Sequence, residues 1–193
     1  STKTENIYNF ENKITETYSS NWHDSASSLF LDEKSERTYN SKGNLTLTTG
    51  YSWEKNLNNW KLSYKYSYDY DENENLILRL APLLNENTNE WENNLKTEYT
   101  YDSLGNELSD IIYKWNSTDN IWEIQSQYEY TYDSEGYLIQ KNTGRIYRIT
   151  DNGIEYGNQF DDYIYDSNGN LIEYQRSSKF PNDSTYTYST RLN

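Results

Sequence analysis

One spacing governs this chain. A tyrosine followed by Asp or Asn and a turn recurs as YNFENKI from Tyr8, YNSKGNL from Tyr39, YDENENL from Tyr70, YDSLGNEL from Tyr101, YDSEGYL from Tyr132 and YDSNGNL from Tyr165. Successive tyrosines are 31 residues apart four times and then 33 apart. The tryptophans keep the same clock. Trp22, Trp53 and Trp115 stand 14 residues after their tyrosines, with Leu84 and Ile146 at the equivalent positions, and Trp60, Trp91 and Trp122 stand 21 after, with Leu29 and Gly153 as equivalents. A fixed period of this length marks a repeat architecture in which each unit is one supersecondary element. The expected organisation is a single β-repeat domain over residues 1–193, with repeats starting near 8, 39, 70, 101, 132 and 165 and the fifth irregular.

Each repeat reads as two strands and two turns. The D-x-x-G-N element puts Asp at the first turn position and Gly where a left-handed backbone is needed. Asn also tolerates that conformation, which is expected to cover YDENENL, where Gly is missing. The second turn reads KNLN in repeat two and NSTD in repeat four. About 10 residues remain per strand, enough for antiparallel hairpins and too few for parallel crossovers. The segment from Asn21 to Lys34 is least repeat-like, and a short helix or loop is expected there. In repeat five a T-D-N-G turn links Ile149 to Ile154, with a bulge near Gly144.

Pairing Trp53 with Trp60 across a hairpin sets a register. It places Tyr51 opposite Leu62, Thr49 opposite Tyr64, Leu47 opposite Tyr66 and Leu45 opposite Tyr68. One face is then aromatic and aliphatic, and Thr46, Thr48, Gly50 and Ser52 form a polar one with Lys61, Ser63, Lys65 and Ser67. Repeat four agrees, with Trp115 opposite Trp122, Tyr113 opposite Ile124, Ile111 opposite Ser126 and Ser109 opposite Tyr128. Glu123, Gln125, Gln127 and Glu129 take its other face. Such alternation marks half-buried antiparallel strands. A wet aromatic face is costly, since each buried ring removes ~150–250 Å² from water. The expected fold is therefore all-β, an antiparallel meander rolled or closed into a barrel-like or two-layered sheet with an aromatic interior; the alternative is an extended single sheet whose exposed ladder of rings is a binding surface.

Composition excludes several classes. With 17 basic and 31 acidic residues the net charge is −14, which argues against a nucleic-acid partner. No window approaches the ~18 apolar residues of a membrane helix, so no helix spans a bilayer. An outer-membrane barrel is disfavoured because Gln140, Asn142, Glu173, Gln175 and Ser177 would face lipid. Without Cys there is no thiol nucleophile and no disulfide scaffold. The opening STKTENIYNF carries no signal-peptide pattern, and the lack of any Met is expected of a trimmed or processed product.

The turn motifs YDSNGNLIEY, YDSLGN and YDSEGYL resemble the tyrosine-aspartate repeats of Rhs and teneurin-like shell proteins, in which Y-D-x-x-G turns join strands of a spiralling sheet. The Rhs-type repeat is shorter and lacks the Trp pair. A closer likeness is to Trp/Tyr-rich YDxxGN repeats in secreted Bacteroidetes proteins that look like type IX secretion cargo. That resemblance implies an exported chain, extracellular or attached to the bacterial cell surface and outer membrane, of generally unassigned activity. It also implies O-glycosylation acceptors at Ser25, within Asp24 to Ala26, and at Ser103, within Asp102 to Leu104.

No catalytic constellation emerges. His23 is the sole histidine and is expected to be an ordinary surface residue. Most carboxylates lie in turns or on the polar face, so a glycosidase pair is not indicated. The runs Asp166, Asn168, Asn170 and Asp71, Asn73, Asn75 have oxygen ligands that suit calcium. They lack the distal Glu of a calcium loop and suit turns better, and no cofactor is implied. The Trp pairs are the best ligand-binding candidates: Trp53, Trp60, Trp115 and Trp122, with Trp22 and Trp91 in line. Simple cross-strand packing explains them as well. The expected function is non-enzymatic: an exported structural, adhesive or complex-docking module, partnered by a surface protein complex or a glycan. The alternative is a carbohydrate-binding module that uses the Trp rim.

Overall fold

The repeat turns fold for a local reason that the structure, a computed structural model, makes explicit. It describes the backbone of residues 2–23, 28–150 and 153–192, and the side chains of 2–20, 32–144, 146 and 155–188. In every turn the first side chain, Asn9, Asn40, Asp71, Asp102, Asp133 or Asp166, accepts hydrogen bonds from the amides two and four residues on, at 2.8–3.1 Å. The fourth turn residue has positive φ: Asn12, Gly43, Glu74, Gly105, Gly136 and Gly169. In YDENENL the left-handed position is therefore held by Glu74, at φ 71°, and not by either flanking asparagine. At the other hairpin ends Asn58, Asn89 and Asn120 take positive φ, again 31 residues apart. Asn enters that region at lower cost than most side chains.

These turns connect thirteen strands: β1 Thr2–Tyr8, β2 Ile14–His23, β3 Ser28–Tyr39, β4 Leu45–Glu54, β5 Asn59–Tyr70, β6 Leu76–Asn85, β7 Glu90–Tyr101, β8 Glu107–Asn116, β9 Ile121–Tyr132, β10 Leu138–Thr150, β11 Gly153–Tyr165, β12 Leu171–Lys179 and β13 Thr187–Leu192. They form one antiparallel sheet in chain order, β1 to β13. β2 runs to His23 and β3 starts at Ser28, so strand occupies most of the segment expected to be a short helix or loop. Ile149 pairs with Ile154, Tyr147 with Tyr156, and the register is irregular after Thr143, as expected, while Asp151 and Asn152 of the expected turn lie outside the described residues. By Cα packing the chain divides into two compact units, Ser1–Lys96 and Thr97–Asn193.

The expected closure is absent. β1 and β13 stand at opposite ends of the hydrogen-bonded order, so the sheet is open and not a barrel. Nor is there an aromatic interior: among the described residues Phe180 is the one buried apolar side chain.

The reason lies in bulges that simple alternation does not foresee. Trp53↔Trp60 and Tyr51↔Leu62 pair as expected, but the register then slips to Gly50↔Tyr64, Thr48↔Tyr66 and Leu47↔Ser67, leaving Ser63 as an extra residue. β8 and β9 repeat this: Trp115↔Trp122 and Tyr113↔Ile124 hold, Gln125 is extra, and Ile111 faces Gln127 while Ser109 faces Glu129. Between β2 and β3 the extra residue is Asp32. A second set follows the tyrosine turns, at Thr15, Thr46, Ile77, Ile139 and Ile172. Both sets keep the repeat period. A one-residue slip exchanges the faces. Trp53, Trp60, Tyr51 and Leu62 therefore share one face, and Tyr64, Tyr66 and Tyr68 lie on the other. Aromatic surface is divided between two half-exposed faces, and a tyrosine hydroxyl is at home in water, so no second layer is required.

Candidate functional site

The turn tyrosine has its own task. Tyr39 Oη donates to the Ile14 carbonyl at 2.7 Å, and Tyr70 Oη to the Leu45 carbonyl at 2.9 Å. Each clasps the strand that opens the preceding repeat. Bulge threonines add a second tie, with Thr15 and Thr46 hydroxyls donating to Ile7 and Thr38 carbonyls. These contacts give Tyr39 and Tyr70 an architectural role. The Asp166 carboxylate is occupied in the same way, by the amides of Asn168 and Asn170 and by Asn170 Nδ2. The matching amides at Asn75 and Asn106 donate to Asp71 and Asp102. These side-chain bonds, more than the backbone ones, hold the three carboxyls below their ordinary range. Among the described residues no group of three or more His, Asp or Glu side chains is placed to hold a metal ion.

In the N-terminal unit Trp53 and Trp60 meet edge to face, with centroids 5.0 Å apart and planes at 72°. The Tyr18 ring reaches Trp60 at 6.1 Å, although their strands are β2 and β5, so the sheet of this unit bends towards that face. On the same face Lys34 lies between Glu16 and Glu36, with Nζ 2.5 Å from Glu36, and sits over the Tyr18 and Tyr51 rings. Tyr18 and Tyr51 donate to Glu16 and Glu36. The Lys34 hydrogen bond lowers the Glu36 carboxyl, and the same bond raises the Lys34 ammonium. Burial, then the bond to Glu36, raises the Tyr51 phenol. On the opposite face Tyr64 lies over Gly50 and contacts Tyr66, which carries Arg79 at 4.7 Å.

In the C-terminal unit Trp115 and Trp122 meet at 5.1 Å and 64°. The face opposite them carries alternating charge and tyrosine. Lys141 lies over Tyr128 and Tyr130, and Tyr130 donates to Asp110. Burial, reinforced by the Asp110 charge, pushes the Tyr130 phenol far up. Next along the row, Asp161 is 3 % exposed and receives Arg176 Nε at 2.7 Å and Tyr174 Oη at 2.8 Å. Burial pushes its carboxyl up, but those donors outweigh it and the net shift is down. A groove of 660 Å³ runs between two successive turns, walled by the stacked Tyr137 and Tyr165 rings. Its counterpart in the N-terminal unit lies between the Asn40 and Asp71 turns.

The predicted site residues thus separate. Trp53 joins Trp60, and Trp115 joins Trp122. Trp91 is half-buried on β7. Trp22 lies in β2, but its side chain is outside the described residues, as is that of His23. Ser103 is exposed at the tip of its turn, and Ser25 lies outside the described residues. Sequence reasoning does not single out Phe160, Asp162, Tyr186 and Tyr188, which line a recess on the Trp115 face with Gln140, Gln175 and Ser177. The one available signal is the break in apolar alternation at Gln140, Gln175 and Ser177, which by itself weighs only against a lipid-facing band.

No family model matches the chain, and no curated protein matches it. A Bacteroides fragilis protein of unknown function is similar in structure, with TM-score 0.58 and 16% identity over 66% of this chain and 90% of that one. A DUF3836 family protein from Bacteroides vulgatus gives TM-score 0.41 and 27% identity over 48% of this chain and 90% of that one. The Photorhabdus luminescens Tc holotoxin pore gives 0.39 and 15% over 94% of this chain and 11% of that one. The first likeness shows a shared fold.

Proposed function

We propose that this chain is a non-enzymatic β-repeat module of an exported bacterial protein, acting as a structural or adhesive element at the cell surface. One observation carries the reading: aromatic side chains lie half-exposed on both faces of an open sheet, and among the described residues Phe180 is the one buried apolar side chain. Catalysis by preorganised polar groups depends on a water-excluded site. A broad half-wet surface rich in Tyr instead suits adhesion, because Tyr offers large contact area at low conformational cost.

The repeated turns support the same reading. In the N-terminal unit Tyr39 and Tyr70 clasp the preceding repeat through backbone carbonyls, so the sheet there can present side chains on either face while the ladder stays intact. Protease shaving of intact producing cells tests export, and retention of the purified chain on those cells tests adhesion. Removal by shaving, retention on cells and no turnover of polysaccharide are expected. A chain protected inside the cell, or one that hydrolyses polysaccharide, overturns the proposal.

A further inference from the structure

On the face that carries Trp115 and Trp122, residues of β10, β11 and β12 and of the C-terminal Tyr186–Tyr188 segment line an open recess of 230 Å³. Two cross-strand rows build it. Phe160 faces Ser177, which faces Tyr188, and beside them Gln140 faces Asp162, which faces Gln175. Ser177 is 4 % exposed and forms the floor, its small side chain leaving room between the rings. Tyr186 meets Phe160 edge to face at 5.6 Å, and Tyr186 and Tyr188 remain 42 % and 63 % exposed. Gln140 Nε2 donates to Asp162 Oδ1 at 2.7 Å, which fixes the directions of an amide and a carboxylate at the rim.

Rings beside a short row of amides and a carboxylate have a specific complement. A sugar ring presents polarised C–H bonds to the negative face of an aromatic ring. Its neighbouring hydroxyls both donate and accept, as carboxamide and carboxylate groups require. The recess is smaller than the roughly 300–1,000 Å³ of drug-sized ligand clefts, so it takes one ring. A cationic ligand fits less well, because Lys179 already lies 5.1 Å over Tyr186. A wholly apolar ligand would leave Gln140, Asp162 and Gln175 without the water they face.

We propose that this recess is a subsite for one neutral hexose ring of a glycan, with Tyr188 as the stacking platform and Asp162 and Gln175 engaging the hydroxyls. The proposal rests on the adhesive reading and names its ligand class. Saturation-transfer NMR with glucose, galactose, mannose and N-acetylglucosamine at millimolar concentration tests it. At least one sugar should receive saturation from the full chain. Tyr188→Ala and Gln175→Ala should each weaken that binding fivefold or more, while Trp115→Ala leaves it unchanged. Tyr188 is exposed enough that its truncation should keep the far-UV spectrum, and Gln175→Ala provides an independent check. Absence of transfer to all four sugars overturns the subsite. So does binding that survives both variants or is lost in Trp115→Ala. Retention on cells, measured in parallel, separates the two readings: retention without sugar binding removes the subsite alone, and sugar binding without retention removes the adhesive role alone.

Discussion

Glu74 is the one turn residue of its class that is neither Gly nor Asn, and its replacement by Gly should stabilise the protein. Its φ of 71° lies where Gly43, Gly105, Gly136 and Gly169 sit in the other turns. A left-handed conformation costs a side chain with a Cβ roughly 1–2 kcal/mol. Gly returns about 0.4–1 kcal/mol of that through the greater entropy of the unfolded chain. The Glu74 carboxylate itself holds little: Lys42 stands 3.9 Å away with both side chains about half exposed, and Asn44 Nδ2 lies at 3.4 Å. The net expectation for Glu74→Gly is a gain of about 0.5–1 kcal/mol, or ~1–4 °C in Tm for a chain of this size. Chemical denaturation followed by tryptophan fluorescence measures it. Glu74→Gln keeps the Cβ and removes the charge, so it should leave stability near that of the starting protein. Gly105→Glu should lose about what Glu74→Gly gains. If Glu74→Gly is no more stable than Glu74→Gln, backbone strain is not what this turn stores.

Acid sensitivity should also trace to the turns. The folded-state pKa of Asp102 is lowered below its ordinary 3.8, chiefly by Asn106 Nδ2, so its contribution is complete above about pH 4 and lost as pH falls through the folded-state value. The stability gap between the wild type and Asp102→Asn, measured by urea titration from pH 7 to pH 2, should therefore narrow in acid; a constant gap would refute the linkage. A Cβ on Gly157 would stand 2.5 Å from the Lys179 carbonyl oxygen and 2.7 Å from the Phe180 ring. Gly157→Ala should cost about 1–3 kcal/mol by thermal melting, whereas unchanged stability would mean the β11–β12 approach is slack. Lys34→Ala removes the cation between Glu16 and Glu36, which keep their tyrosine donors, and should cost on the order of 1 kcal/mol. Adding Glu36→Gln in a double-mutant cycle should recover part of that cost, and strict additivity would show that the two charges do not couple.

Some features are legible in the sequence residue by residue, and others are hidden. Asp102 announces its turn because its acceptors and the amides they bind lie within four residues. Trp53 and Trp60 announce their pairing because a short turn fixes the first rungs of the ladder. Alternation puts Tyr64 on the wrong face because the extra residue, Ser63, carries no local mark: its bulge is defined by hydrogen bonds to β4, a different segment of chain. The same distance effect hides the recess, whose residues Gln140, Phe160, Gln175 and Tyr188 come from four strands and are joined only by cross-strand register. Glu74 is hidden for a simpler reason, since either neighbouring Asn is the better residue for a left-handed backbone.

What the chain alone determined is thus everything governed by nearby atoms: the 31-residue period, the turns, the antiparallel hairpins and the meander they impose. Tertiary structure decided how the faces are shared. Bulges that recur at the repeat period exchange the sides of the sheet, so rings that alternation would gather into one apolar face are split between two. Among the described residues neither face gathers a buried apolar layer, since Phe180 is the one buried apolar side chain, and the sheet is open; the free energy of closing a sheet depends on contiguous buried area and not on how many aromatic residues the chain contains.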